Sequence, residues 1–285
     1  MRYASAYLSI AKPKILVLVA ITGLASAMVA AQGSIPASTG VLLTLAGVLA
    51  SAGAAFLNNY LDRDIDAVME RTRNRPLPRG SVNPAAVLVV GLALIAVSIP
   101  IALGLNYLVA LFVAAGALIY VLIYTLWLKR RTSLNIVIGG LAGSCAILAG
   151  WFAISSELSL VPILVAALVF LWTPSHFWSL ALAHQEGYRE ANIPMLPVLV
   201  GMKKTVNCIL LSSGLLLLVS LLLYFVVSFH EIYLLGALLL GSLFLISNIR
   251  LWRQPRRKRA WTNFKLSGVY LLGLFLVMVV DVLVY

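Results

Sequence analysis

Long apolar runs, separated by short polar ones, divide almost the whole chain into segments of membrane-spanning length. A transmembrane helix needs about 17–25 predominantly apolar residues, and nine segments of the sequence meet this requirement. Their predicted bounds are residues 15–31, 41–57, 84–103, 107–128, 136–154, 160–183, 206–227, 232–249 and 266–284. The pattern predicts an all-α, polytopic membrane helix bundle, with residues 1–285 forming a single integral-membrane domain.

The composition supports a membrane protein. Hydrophobic residues make up 62% of the 285-residue chain and charged residues only 11%, whereas a soluble domain is about 45–50% apolar and about 25% charged. The net charge of +12 is also typical of nucleic-acid-binding proteins, but those carry a basic face on a water-soluble body. We therefore expect the lipid bilayer, and no nucleic acid, as the partner.

The distribution of Lys and Arg predicts the orientation of the nine spans. With a cytoplasmic N-terminus, the inner segments are residues 1–14, 62–83, 129–135, 184–205 and 250–265. Together they contain all 21 Lys and Arg residues of the chain. Because cytoplasmic loops of membrane proteins carry an excess of Lys and Arg, we expect a multi-pass protein of the inner cell membrane. Its N-terminus and long loops would then face the cytoplasm and its C-terminus the outside.

Acidic residues are concentrated in one inner segment. Four of the nine in the chain, Asp62, Asp64, Asp66 and Glu70, follow the second span. On a helix continuing from that span, Asn58, Asp62 and Asp66 fall within about 80° of arc on one face. Asp64 faces nearly the opposite way and is expected to pair with an arginine. Carboxylate and amide oxygens are typical ligands of Mg²⁺, which also takes phosphate oxygens. A solvated helix end is the alternative interpretation.

Basic residues follow these acids and also the fourth span. They are Arg71, Arg73, Arg75, Arg79, Lys129 and Arg130. Arginine binds phosphate oxygens in bidentate fashion. A cytoplasmic location explains the basic residues but not the adjacent acids. The combination favours a site for a magnesium-bound lipid diphosphate.

These motifs resemble a known family. The pattern Asn58-x-x-x-Asp62-x-x-x-Asp66, followed by residues 71–77, resembles the first signature of the UbiA-type membrane prenyltransferases. Within that superfamily, residues 124–130, 172–178 and 192–197 resemble the protohaem IX farnesyltransferase family. The resemblance implies a nine-helix bundle around a central cavity that opens towards the cytoplasm and the lipid. It also implies transfer of a farnesyl group from farnesyl diphosphate to a vinyl group of haem b, which gives haem O.

The resemblance implies roles for individual residues as well. The implied catalytic residues are Asn58, Asp62, Asp66, Lys129 and Arg130. The implied Mg²⁺ ligands are Asn58, Asp62 and Asp66, joined from the other half of the chain by Glu186 or Glu190, since Gly187 stands where the family often has an acid. The implied diphosphate-binding residues are Arg71, Arg75, Tyr124, Lys129 and Arg130. The haem pocket would include His176, Phe177 and Trp178, and the sequence leaves open whether His176 ligates the iron.

Two other functions fit parts of the sequence. A UbiA-type enzyme with an aromatic acid or a chlorophyll-type ring as acceptor is one, but residues 172–178 and 194–197 favour haem. A transporter is the other, since carriers also combine many spans with acidic residues. Here the acids lie at one rim rather than near the middle of the bilayer, which argues against a carrier. With haem O as product, the expected protein partner is haem A synthase or a terminal oxidase assembly.

Overall fold

The computed structural model describes residues 2–227 and 229–285, with side chains described from residue 5 onward. Every regular element in these ranges is helical, which confirms the predicted all-α class. The α-helices are α1 Arg2–Ala11, α2 Pro13–Ala31, α3 Ala37–Leu61, α4 Arg63–Val68, α5 Pro84–Leu103, α6 Tyr107–Leu118, α7 Asn135–Gly139, α8 Leu141–Phe152, α9 Leu160–Ala183, α10 Gln185–Glu190, α11 Leu196–Val227, α12 Glu231–Arg253 and α13 Arg257–Val284. A π-helix, Ile119–Leu128, continues α6.

The predicted number of membrane-spanning helices is confirmed. Within the described residues, nine helices are long and apolar enough to cross a membrane. The third, fourth and sixth of them, Pro84–Leu103, Tyr107–Leu128 and Leu160–Ala183, have the predicted bounds. Their outward side chains are apolar and exposed, as at Val89 and Leu111. A large exposed apolar surface is unfavourable in water and is expected where a protein faces lipid.

Two spans begin more than two helical turns earlier than the hydrophobic pattern predicts. The seventh starts at Leu196 instead of Val206, and the ninth at Arg257 instead of Leu266. Both helices continue through polar and basic residues at the rim, where the hydrophobic signal is weak but the backbone stays hydrogen-bonded. Near its start the seventh helix is interrupted at Gly201, whose φ of 77° only glycine adopts without strain.

Glycines of the fifth span permit close helix packing, as small residues do in membrane bundles. A Cβ at Gly150 would overlap the carbonyl oxygen of Gly23 on α2. A Cβ at Gly143 would lie 2.7 Å from Cγ1 of Val169 on α9. These contacts place α8 against both neighbours and so bring the two halves of the chain together.

The segments between alternate spans meet at one end of the bundle, which we call the basic rim. It comprises α1 with residues 12–14, α4 with residues 69–83, residues 129–134, α10 with residues 191–205, and residues 250–259. A hydrophobic cluster that includes Ile65, Met69, Tyr188 and Ile193 joins the two longest of these segments. Ile10 of α1 packs in a second cluster beneath them. Both long loops are therefore held against the end of the bundle, where the predicted site lies.

Candidate functional site

Asn58, Asp62 and Asp66 lie on one face, as predicted, and all three are buried. We call these three residues the acid face. Asn58 lies in the last turn of α3, Asp62 at the junction with α4, and Asp66 on α4. The junction keeps the helical pattern, because the Asp62 amide donates to the Asn58 carbonyl (2.9 Å) and the Asp66 amide to the Asp62 carbonyl (2.8 Å). Their exposed fractions are 4%, 1% and 3%. The side-chain amide of Asn58 also donates to Oδ2 of Asp62 at 2.8 Å.

Cations compensate the two buried carboxylates. Lys129 forms a hydrogen-bonded ion pair with Oδ2 of Asp62, and Nη1 of Arg75 donates to Oδ2 of Asp66 at 2.6 Å. A buried charge without such a partner is strongly unfavourable. Burial alone would lower the pKa of Lys129, but Tyr124 and Asp62 raise it above its ordinary value, so the residue stays an ammonium. The site therefore brings two buried acids into contact with two basic side chains.

One carboxylate oxygen has no partner among the described residues. Oδ1 of Asp62 is enclosed and accepts no hydrogen bond, which is rare for a buried polar atom. An oxygen of this kind suits a hard cation such as Mg²⁺. The described residues gather no three His, Cys, Asp or Glu side chains as a ready metal site. Mg²⁺ usually keeps several waters and takes phosphate oxygens from its substrate, so it does not require such a preformed cluster.

A π-helical stretch positions the aromatic and hydroxyl groups beside the acids. The Lys129 amide bonds to the carbonyl of Tyr124, five residues back, at 2.8 Å. Thr125 accepts from the Asn58 amide at 3.0 Å and donates to the Tyr120 carbonyl at 2.8 Å. The rings of Tyr120 and Tyr124 are stacked, with centroids 5.7 Å apart. π-Helical turns are rare in proteins as a whole, but those that occur are frequently found at functional sites.

Lys12 belongs to this site, although the sequence did not point to it as a site residue. Its Nζ donates to Oδ1 of Asn58 at 2.7 Å and to the Tyr120 hydroxyl at 3.1 Å. Its backbone is left-handed (φ 57°, ψ 62°) between α1 and α2, a strained conformation for a residue that is not glycine. Burial, then Arg75 and Lys129, lower its pKa to about 7. The available signal was a lysine directly before the proline that starts the first span.

Asp64 and Arg130 form a separate pair at the surface. Both guanidinium nitrogens Nη1 and Nη2 of Arg130 lie 2.7 Å from the Asp64 carboxylate, and Nη2 also donates to the Leu61 carbonyl at 3.0 Å. The hydrogen bond from Arg130 holds the pKa of Asp64 below its usual range. The prediction that Asp64 pairs with an arginine is confirmed. Arg130 is directed to this exposed pair and not to the buried acids.

The predicted second acidic group lies on α10, beside the first loop but not in contact with Asp62 or Asp66 among the described residues. Glu186 is exposed and pairs with Arg257, which lowers the pKa of its carboxyl. Glu190 is exposed as well. Gly187 faces Met69, since a Cβ there would lie 3.5 Å from the Met69 methyl carbon. The structure therefore places the two loops side by side without joining their acids.

Arg71, the remaining predicted phosphate-binding residue, is exposed at the same rim. It lies near His184, whose pKa is lowered first by burial and then by the Arg71 charge. Nε2 of His184 is buried without a hydrogen-bond partner among the described residues. Arg71 is therefore accessible at the rim, beside His184.

All three predicted haem-pocket residues lie on α9, and two of them, His176 and Phe177, are part of an aromatic cluster. The His176 ring is stacked with Trp172 (centroids 4.2 Å apart) and packs against Phe264 of α13 (4.3 Å). Phe177 meets it edge-on at 5.1 Å, and Nδ1 of His176 lies 2.7 Å from Oγ of Ser267. Nearby, Nε1 of the buried Trp178 has no partner in the described part of the chain. The His176 ring is thus packed between Trp172 and Phe264, and Trp178 contributes a buried donor outside this cluster.

The all-α bundle, with acids and basic side chains at one rim, is the arrangement that the sequence motifs predict for a membrane prenyltransferase. The model of the UbiA prenyltransferase family matches residues 19–276. The chain belongs to the UbiA prenyltransferase family.

Relatives within the family carry a more particular name. A protoheme IX farnesyltransferase of Desulforudis audaxviator is 44% identical over 282 residues, which cover 98% of this chain and 89% of that protein. A protoheme IX farnesyltransferase of Symbiobacterium thermophilum is 43% identical over 97% of this chain and 93% of its own.

Solved structures share the fold. A digeranylgeranylglyceryl phosphate synthase superposes with a TM-score of 0.82 at 18% identity, over 100% of both chains. A UbiA homolog from Archaeoglobus fulgidus, bound to DMAPP and Mg²⁺, superposes with a TM-score of 0.69 at 16% identity, over 95% of this chain and 98% of that one.

Proposed function

We propose that this protein transfers the farnesyl group of farnesyl diphosphate to a vinyl group of haem b and so forms haem O. The observation that carries the proposal is the buried face of Asn58, Asp62 and Asp66, compensated by Lys129 and Arg75 at the rim of a membrane bundle. The identity of the acceptor and of the prenyl chain rests on relatives of nearly full length that carry the name protoheme IX farnesyltransferase.

The basic residues would bind the diphosphate. Lys129 and Arg75 already face the site, Arg71 is exposed at the rim, and the ring of Tyr124 lies next to Lys129 in the π-helical turn. Arg130 would have to leave Asp64 to join them. Hydrogen bonds to charged groups contribute about 1.5–3 kcal/mol each, so a few such contacts are sufficient to hold the departing group.

Mg²⁺ would be held by Asn58, Asp62 and Asp66, and by Glu186 or Glu190 from α10. Support comes from the unpartnered Oδ1 of Asp62 and from the Mg²⁺-bound UbiA homolog. When bound, the ion would neutralise charge that develops on the diphosphate. Glu186 could contribute only after its pair with Arg257 opens.

The reaction would proceed by cleavage of the allylic C–O bond and attack of a vinyl carbon on the farnesyl cation, with water adding to the other vinyl carbon. The cation must be protected from water until the acceptor attacks. Stacked Tyr120 and Tyr124 rings would stabilise positive charge across their faces. The apolar helices around them would exclude water.

The haem would lie against the aromatic cluster of α9. Phe177 meets the His176 ring edge-on and would offer an aromatic contact, and Trp178 has an N–H donor without a partner among the described residues. Both features suit a flat macrocycle with polar substituents. The resulting haem O is expected to pass to haem A synthase or to a terminal oxidase assembly.

We also propose that residues 1–285 act as one catalytic domain in the inner cell membrane, with the basic rim in the cytoplasm and the C-terminus outside. All 21 Lys and Arg residues lie in sequence segments that the nine-span prediction assigns to one side of the membrane, which supports this orientation. Farnesyl diphosphate would then enter from the cytoplasmic side.

The test is a conversion assay. Detergent-purified protein is incubated with haem b, farnesyl diphosphate and Mg²⁺, and the haem is analysed by chromatography and mass. We expect a more apolar haem whose added mass equals a farnesyl group plus hydroxyl. No conversion by folded protein would overturn the proposal. Prenylation of an aromatic acid instead of haem would agree with the assignment as a prenyltransferase but contradict the assignment of haem b as the acceptor.

A further inference from the structure

A groove on the outer face of α11 runs into a basic cleft at the rim. The groove, of about 650 Å³, is lined by the leucines of this face, by Gly214 and by Asn207. Apart from its own helix backbone and chain neighbours, no described atom lies within 4 Å of a Cβ built on Gly214, so the glycine leaves the floor of the groove open. The exposed Leu211 and Leu218 form its walls. The groove therefore faces the hydrocarbon region of the bilayer.

The cleft lies between the start of the seventh span and the end of the eighth. It measures about 490 Å³ and is lined by Lys203, Asn207, Trp252 and Arg253 among others. Nε1 of Trp252 donates to Oδ1 of Asn207 at 3.0 Å, which fixes Asn207 at the junction of cleft and groove. Trp side chains favour this interfacial depth in membranes.

The charge of the cleft is uncompensated. Lys203 and Arg253 are both exposed, and neither is within ion-pair distance of a carboxylate in the described ranges. Lys204 and Arg256 extend the positive surface. Basic pockets between transmembrane helices on the cytoplasmic side bind anionic lipid head groups.

We propose that an anionic phospholipid binds here, with its phosphate between Lys203 and Arg253 and an acyl chain in the groove past Gly214. A free phosphate would fill only the cleft and leave the groove empty. A zwitterionic lipid carries no net charge and would not neutralise Lys203 and Arg253. The continuity of cleft and groove at Asn207 matches a molecule with a charged head and an apolar tail. This site lies outside the acid face and does not depend on the proposed reaction.

Native mass spectrometry of the detergent-purified protein tests the proposal with dioleoyl phosphatidylglycerol and dioleoyl phosphatidylcholine. We expect one retained phosphatidylglycerol, bound in preference to phosphatidylcholine. The double variant Lys203→Gln/Arg253→Gln should weaken this binding about thirtyfold, since each basic residue near a membrane surface contributes roughly fivefold. Gly214→Leu should also reduce binding, because the side chain fills the groove.

Two matched variants serve as controls. Lys14→Gln/Arg131→Gln removes the same charge from other exposed positions of the rim, and Gly268→Leu fills an open position on α13. Both should retain the lipid. The proposal is wrong if the wild type does not distinguish the two lipids or if the charge control loses binding equally. Competition by glycerol phosphate at the lipid's own concentration would likewise contradict it, because the groove would then contribute nothing.

Discussion

Nζ of Lys12 lies 2.7 Å from Oδ1 of Asn58, in a site whose other members come from segments far along the chain. The contact connects the strained turn before α2 to the acid face of α3, and the Tyr120 hydroxyl at 3.1 Å extends it to the fourth span. Strained backbone conformations are concentrated at functional sites. Lys12 is thus expected to affect the chemistry as well as the packing.

We expect Lys12→Met to lower prenyl transfer by about tenfold or more, since the variant loses two hydrogen bonds inside the site. Steady-state kinetics with varied farnesyl diphosphate measure the effect. Lys14→Met, at an exposed position two residues along, is the control and should leave the rate unchanged. Equal rates for Lys12→Met and the wild type would show that this lysine is only structural.

Asp66 and Asp64 provide a matched pair for the metal site. The Asp66 side chain is buried, whereas that of Asp64 is 60% exposed. Asp66→Asn should weaken Mn²⁺ binding in the presence of an unreactive farnesyl thiodiphosphate, by roughly a hundredfold. Asp64→Asn should change it little, because exposed ion pairs contribute only about 0–1 kcal/mol. Paramagnetic resonance of free Mn²⁺ gives both affinities, and equal losses would contradict the assignment of the two faces.

Lys129 and Arg130 are adjacent in sequence but differ in burial. We therefore expect a variant of Lys129 to lower stability and a variant of Arg130 to weaken substrate binding alone. Lys129→Gln leaves the Asp62 carboxylate buried without its cation, at a cost of about 3–5 kcal/mol. Its thermal unfolding temperature should fall together with its activity. Arg130→Gln removes a surface pair and should leave unfolding unchanged while raising KM for farnesyl diphosphate. An unaltered KM would remove Arg130 from the proposed diphosphate site.

Gly150 tests the packing that holds the two halves together. Because an added methyl would overlap the Gly23 carbonyl, Gly150→Ala should separate α8 from α2 and destabilise the bundle by about 1–3 kcal/mol. Gly268→Ala, in a helix position with open space, should be neutral or slightly stabilising. Thermal unfolding in one detergent compares them. Equal melting temperatures would show that the helices can move apart without cost.

The sequence predicted the parts of this protein that follow from local pattern. Hydrophobic length alone located nine spans, and helical spacing correctly separated Asp64 from Asp62 and Asp66. Contacts between segments that are distant in sequence could not be predicted from such local patterns. Neither the π-helical turn that places Lys129 nor the left-handed turn at Lys12 has a reliable signature in a single sequence. The pairing of Glu186 with Arg257 likewise depends on where α13 begins, and the apolar pattern placed that start too late.

The conversion of haem b by wild type and by an Asp62→Ala/Asp66→Ala variant tests the central claim most directly. Both proteins are purified in the same detergent, verified as folded by thermal unfolding, and incubated with haem b, farnesyl diphosphate and Mg²⁺. The wild type should yield the more apolar haem with the mass of the farnesyl adduct. This conversion should stop when the metal is chelated. The variant should yield none. Full conversion by the variant would contradict the assignment of this acid face as the reaction site.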